Sequence, residues 1–223
     1  MPVKSKEILE ELKSVISGKT VDALFPPLVF AGVNAFFGLD AALITAPALA
    51  ILLGISRLAR GQNWYYALAG LAGVLLASGL AYLTRSAASY FIPAIAGSAL
   101  LVLFTLGSLA AGKPAAAWAS HLTRGWPLDW FWRKDVKPAY REVTLFWGVF
   151  FAIRLAIQVI LFQGGDPTRL AWANTLLGWP VTIAILVLSY IYGVRRLRSL
   201  GGPGVEEYRA GKEPPWQGQT RGF

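Results

Sequence analysis

The sequence predicts an all-α, polytopic membrane protein with six transmembrane helices and amphipathic interfacial helices on the cytoplasmic side. Three observations carry the prediction. Apolar residues gather into long blocks, positive charge sorts to alternate connections, and aromatic residues mass beside basic ones where the blocks end.

The composition departs from that of a water-soluble domain. Hydrophobic residues make up 55% of the chain and charged residues 15%, against about 45–50% and about 25% in soluble domains. Glycine is frequent, with 23 residues, as expected where helices approach closely in lipid. There is no cysteine, which excludes a disulfide framework, a thiolate metal site and a cysteine nucleophile. One histidine, His121, leaves no basis for zinc or a serine–histidine triad. No cofactor is expected. The net charge of +9 flanks the apolar blocks. It therefore reads as topology and as contact with anionic lipid headgroups, not as a nucleic-acid surface.

Spanning a bilayer takes roughly 20 apolar residues. Six stretches approach this, at about 23–39, 41–56, 64–83, 90–111, 143–162 and 170–193. They define a membrane domain over 21–198. The first two are short and separated only by Gly38, Leu39 and Asp40, so a single bent or re-entrant hairpin is the alternative to two spans. Residues 1–20 hold four lysines and three glutamates without an apolar run. No cleavable signal peptide is expected, and the first hydrophobic segment is expected to remain as an anchor.

Charge sorting gives the orientation. With the N-terminus inside, the inner segments hold Lys4, Lys6, Lys13, Lys19, Arg57, Arg60, Lys113, Arg124, Arg133, Lys134, Lys137 and Arg141. The tail adds Arg195, Arg196, Arg198, Arg209, Lys212 and Arg221. Only Arg85 and Arg169 fall on outer loops. Eighteen inner cations against two outer ones predict a plasma-membrane protein with both termini cytoplasmic.

The flanking segments complete the plan. Ile8, Leu9, Leu12, Val15 and Ile16 recur at helical spacing, which predicts an amphipathic cytoplasmic helix within 1–20. The loop 113–142 carries Trp118, Trp126, Trp130, Phe131, Trp132 and Tyr140 among six basic residues. Amphipathic rings of this kind favour the membrane interface, so the four tryptophans are candidate interfacial contacts. Residues 199–223, rich in glycine, proline and charge, are expected to form a disordered cytoplasmic tail.

A few polar residues within apolar blocks are the candidate site. Arg154 lies near the middle of the fifth span, where a charge costs at least about 2.5 kcal/mol unless paired or hydrated. Gln158 is one turn on and shares its face. Asn34 is polar within the first span, and Asp40 is the acid nearest a helix end, so an Arg154–Asp40 pair is one expectation. The set Arg154, Gln158, Asn34 and Asp40 serves either a solute path or a structural lock. Pro47, Pro93 and Pro180 are expected to interrupt the second, fourth and sixth helices. Ala69, Gly73, Ala77 and Ala81 form a small-residue ridge suited to close packing within the chain or to a homo-oligomer. Glu142 and Asp129 have no second acid at helical spacing, so general acid–base catalysis has no support. The glycines of 201–204 lack the strand and helix of a phosphate loop.

Three stretches, FPPLVFAGVNAFFGLDAAL, FWRKDVKPAYREVTLFWGVFFAIRLAIQ and NTLLGWPVTIAILVLSYIYGVRRL, resemble an actinobacterial family of integral membrane proteins of unknown function. More distantly the layout resembles the intracellular septation protein A family of inner-membrane proteins. The shared features are a phenylalanine–proline opening of the first helix, a compact first hairpin, and an aromatic loop leading to a helix with a tryptophan near its start, here Trp147. The resemblance covers roughly residues 20–198. It implies a non-enzymatic cell-envelope or division-associated scaffold that acts through membrane protein partners, and it supplies no catalytic residues. The alternative expectation is a small channel or transporter with Arg154 in its path. An intramembrane enzyme ranks third, because no nucleophile–base pair is visible.

Overall fold

In lipid the backbone must satisfy its own polar groups, and helices do so within one segment. The computed structural model describes residues 25–219 and 222–223, and their regular structure is entirely helical. In order come α1 (Phe25–Ala59), α2 (Trp64–Thr84), a 3-10 segment (Ala87–Phe91), α3 (Ile92–Ala110), α4 (Ala115–Arg124), α5 (Leu128–Phe131), α6 (Lys137–Gln163), α7 (Pro167–Leu176), α8 (Trp179–Leu200) and α9 (Val205–Arg209). Five helical stretches among these residues are long and apolar enough to cross a membrane: Phe25–Ala59, Trp64–Thr84, Ala87–Ala110, Lys137–Gln163 and Pro167–Leu200. The chain is a multi-pass membrane protein. Large apolar side chains stand outward on these helices, as Phe36 (85% exposed), Leu83 (78%) and Ile160 (66%) illustrate. Lipid, not water, is the solvent that accepts them. The amphipathic helix expected within 1–20 lies outside the described residues.

Five long stretches stand where six were expected because the first two helical segments join without a loop, at a kink where Gly38 leaves the helical backbone (φ 82, ψ 175). The 35 residues of α1 would run ~52 Å if straight, far beyond a hydrocarbon core of ~30 Å. The break divides it into a short half of ~20 Å, Phe25–Phe37, and a longer half that can span alone. The prolines also act differently from expectation. Only Pro47 lies inside a helix. Pro93 and Pro180 occupy the second residues of α3 and α8, where a missing N–H costs nothing. The expected sixth span is thus divided into α7 and α8, with a turn at Leu177–Gly178.

The chain divides into two units. Among the described residues, the hairpin unit comprises those up to Ser98 and Arg154–Thr182, and the aromatic unit comprises Ala99–Ile153 and those from Ile183 onward. In the hairpin unit the second half of α1 runs antiparallel to α2. Asp40 meets Arg85 at 3.8 Å at one end, and a Cβ on Gly54 would touch Ala67 at 3.9 Å toward the other. Asn63 caps α2 by accepting from the Tyr65 amide at 3.3 Å. The seam is alanine: Ala42 and Ala46 from α1, Ala77 and Ala81 from α2, all buried. The lower half of the expected small-residue ridge therefore packs within the chain, while Ala69 and Gly73 stay exposed. Phe30 stacks on Tyr90 of the 3-10 segment, centroids 3.9 Å apart, and both join a core with Leu170 and Ala171 of α7.

In the aromatic unit, loop 113–142 folds together with residues 199–219 and 222–223. Trp130, Phe131 and Tyr140 are fully buried. Thr144 on α6 donates to the Tyr140 carbonyl at 2.7 Å and accepts from the Ala116 amide at 3.0 Å, which ties α4 to α6. The tail expected to be disordered is ordered where it is described. Trp130 Nε1 donates to the Pro203 carbonyl at 2.9 Å, and Phe223 stacks on Tyr140 at 4.3 Å. Low hydrophobicity alone predicts disorder, but two local devices offset the ordering entropy. Glycine lets the backbone approach where a Cβ would not fit: at Gly202 it would lie 2.8 Å from Asp135, and at Gly204 2.9 Å from the Gly218 carbonyl. The Glu207 carboxylate then gathers the amides of Gly204 (2.9 Å), Gln217 (2.8 Å) and Gly218 (3.0 Å).

Those amides, Gly204 first, hold the Glu207 carboxyl below its ordinary value of 4.5. A depressed carboxylate pKa stabilises the fold fully above the unfolded value, and the contribution is lost as pH falls through the folded one. Limited proteolysis within 204–218 should accelerate for Glu207→Gln at neutral pH, and for the wild type only below about pH 4.5. Equal rates for the two at neutral pH would remove Glu207 as the latch. At Gly38 the backbone occupies a region essentially reserved for glycine, so Gly38→Ala should cost of order 1–3 kcal/mol, read as a lower midpoint of unfolding in detergent. An unchanged midpoint would mean that the break is not required.

Candidate functional site

A charged or amide group far from both ends of a membrane helix demands a partner, and α6 and α7 in the hairpin unit show how far that demand is met. Asp166 starts α7 by accepting from the Thr168 amide at 2.9 Å and the Arg169 amide at 3.1 Å, with Pro167 at the first helical position. About two turns on, Asn174 turns its Nδ2 back to the Leu170 carbonyl at 2.8 Å. Its Oδ1 accepts from Gln158 Nε2 of α6 at 2.6 Å. Gln158 is fully buried. The chain Leu170–Asn174–Gln158 therefore runs from a backbone carbonyl of α7 to a side chain in the last third of α6.

The chain ends unfinished. Gln158 Oε1 is buried with no hydrogen-bond partner among the described residues. Arg154, one turn earlier on the same face, is partly buried, and its Nε likewise has none. Residues four apart on a helix have Cβ atoms ~5–6 Å apart. The site thus offers one cationic donor and one neutral acceptor on adjacent turns, both cut off from solvent in this arrangement. Buried polar atoms left so are uncommon and call for a ligand, water or ion.

The other expected site residues lie elsewhere. The expected Arg154–Asp40 pair does not form, because Asp40 faces Arg85 at 3.8 Å with both side chains well exposed. Asn34 is half-buried on the short half of α1, and no hydrogen bond places it with Gln158. Asn174 is the member that sequence reading missed. It lies in NTLLGW, close to Gly178 and Pro180, where an amide reads as a turn residue.

The four candidate tryptophans do not form a single exposed face. Trp130 is fully buried, and Trp126 and Trp132 pack partly buried against its cluster. Trp118 leans on Trp132 with centroids 6.1 Å apart. His121 Nδ1 lies 2.6 Å from the Trp126 carbonyl and so closes the turn after α4. Glu142 is the acceptor of a two-oxygen pair with Arg196, with contacts from 2.9 Å, and takes the Tyr192 hydroxyl at 2.6 Å. These are staples of the aromatic unit, with no substrate-facing acid among them. Among the described residues no group of three or more His, Cys, Asp or Glu side chains is placed to hold a metal ion.

A family model described as a protein of unknown function (DUF3159) matches residues 17–199. The chain belongs to that family. The DUF3159 region contains Asn34, Asp40, Arg154, Gln158 and Asn174 together with the aromatic loop, and it ends before α9 and the Glu207 latch. Comparison with curated proteins and with solved structures gives no match.

Proposed function

We propose that this DUF3159 protein is a non-enzymatic protein of the cell membrane whose activity is the binding and passage of a small anionic solute, with Arg154 in its path. The observation that carries this reading is the buried Arg154 Nε one helical turn from the buried Gln158 Oε1, neither with a hydrogen-bond partner among the described residues. A cation that served only to lock helices would be expected to end on a carbonyl or carboxylate of the protein, because an unpaired charge in lipid is costly. An anion that enters the site would complete both groups.

The orientation we propose has the tail and loop 113–142 in the cytoplasm. From Asp40 onward the alternation of charge does not depend on whether Phe25–Phe37 crosses the bilayer. Arg57 and Arg60, the loop and the tail fall on one side, and Arg85 and Arg169 on the other. The Asp40–Arg85 pair at one end of the α1–α2 hairpin supports this placement.

A second reading is favoured by a separate observation. The aromatic unit is an ordered module with a basic surface, in which Arg124 lies over Trp126 and Arg133 over Tyr208 and Trp216. This suits a scaffold for envelope or division proteins, the role implied by the distant resemblance to the septation protein A family.

Flux in proteoliposomes separates the two. With hydrogencarbonate, phosphate, chloride and potassium gradients tested in turn, the wild type should pass an anion, and Arg154→Leu should lower that flux at least tenfold while remaining folded. Wild-type vesicles no leakier than empty ones to any of these would sink the pathway reading and leave the scaffold.

A further inference from the structure

We infer that the Arg154–Gln158 site takes an oxyanion that carries its own proton, in preference to a halide or a fully deprotonated oxyanion; this rests on the solute-site reading above. The inference comes from the direction of the hydrogen bonds. A carbonyl can only accept, so the contact to Leu170 is made by the amide nitrogen of Asn174. That turns Asn174 Oδ1 toward Gln158. At 2.6 Å an oxygen there must be met by a donor, so Gln158 presents Nε2. Flipping either amide would set two oxygens or two N–H groups against each other. The backbone of α7 thus fixes the amide of Gln158, and its Oε1 is the atom left over as a pure acceptor.

One turn away, Arg154 Nε is a pure donor. The two groups are complementary, and a ligand that meets both must accept from a cation and donate to a neutral oxygen. Chloride does the first and leaves Gln158 Oε1 bare. Nitrate accepts but has no hydrogen to give. Hydrogencarbonate and dihydrogen phosphate do both: a charged oxygen faces Arg154 and an O–H points to Gln158. A site built around a buried acceptor discriminates against analogues that lack the donor, because its own group is then left unpaired.

Hydrogencarbonate and nitrate make the sharpest comparison, since both are planar singly charged oxyanions and they differ in the O–H. Titration calorimetry on the full chain in nanodiscs should give a hydrogencarbonate Kd about tenfold or more below that of nitrate, which is ~1.4 kcal/mol. Gln158→Met should bring the ratio near one by weakening hydrogencarbonate alone, and Arg154→Met should abolish both. Asn174→Leu, which frees the amide of Gln158 to flip, should narrow the ratio without removing nitrate binding. The wild-type ratio needs no variant to fold. Nitrate or chloride bound as tightly as hydrogencarbonate would overturn the inference, since Gln158 Oε1 would then take no part in choosing the anion. Absence of binding by any of these anions to the folded wild type would bring down the solute-site reading itself, and this inference with it.

Discussion

Inside a bilayer there is no water to finish an incomplete hydrogen bond, so each polar group must be completed by the chain or by something the chain binds. The features of the hairpin unit follow from this demand. The backbone is helical, Thr45 returns its hydroxyl to the Ala41 carbonyl, and Asn174 returns its amide to Leu170 before it meets Gln158. The demand is not met by the described residues at Ser78 Oγ, which stands alone, nor at Arg154 Nε and Gln158 Oε1, which share one helix face; at that adjacent pair function has the strongest physical claim. The alanine seam between α1 and α2 serves the same end indirectly. Small side chains let the backbones close without hydroxyls or amides that would themselves need partners.

The aromatic unit follows a different rule. Its residues border water, and order there comes from ring packing and from one carboxylate. Trp130, Phe131 and Tyr140 form a buried cluster, and ring pairs set edge to face add to the burial of their area. Glu207 gathers three amides that would otherwise face solvent singly. A tail of glycine, proline and charge is thereby held against a hydrophobic cluster that it does not itself supply.

Much of this was legible in the sequence, and the reasons for the rest are local. Hydropathy blocks located every long helix, because burial in lipid leaves a run of apolar residues that cannot be hidden. They placed the junction of the first two segments at residues 38–40 but could not choose between a turn and a bend, since a single glycine at φ 82 leaves hydropathy unchanged. Pro180 looked like an interruption because a proline reads alike inside a helix and at its start. Arg154 and Gln158 stood out as polar residues in an apolar run. Asn174 did not, because its role depends on the Leu170 carbonyl and on Gln158, sixteen positions away. The order of the described part of the tail, residues 199–219, was hidden for the same reason. Composition reports what a segment can bury by itself, whereas this segment docks on rings supplied by the loop.

The central claim is that Arg154 is held for a ligand and not as a lock between helices. The midpoint of unfolding of Arg154→Met, measured beside the wild type in the absence of added oxyanion, tests this most directly. If Arg154 has no protein partner, removing its charge should leave stability unchanged or raise it, since the desolvation cost disappears with it. A loss of about 3–5 kcal/mol, the size expected when a buried pair is broken, would mean that Arg154 is bonded within the fold and would contradict the account.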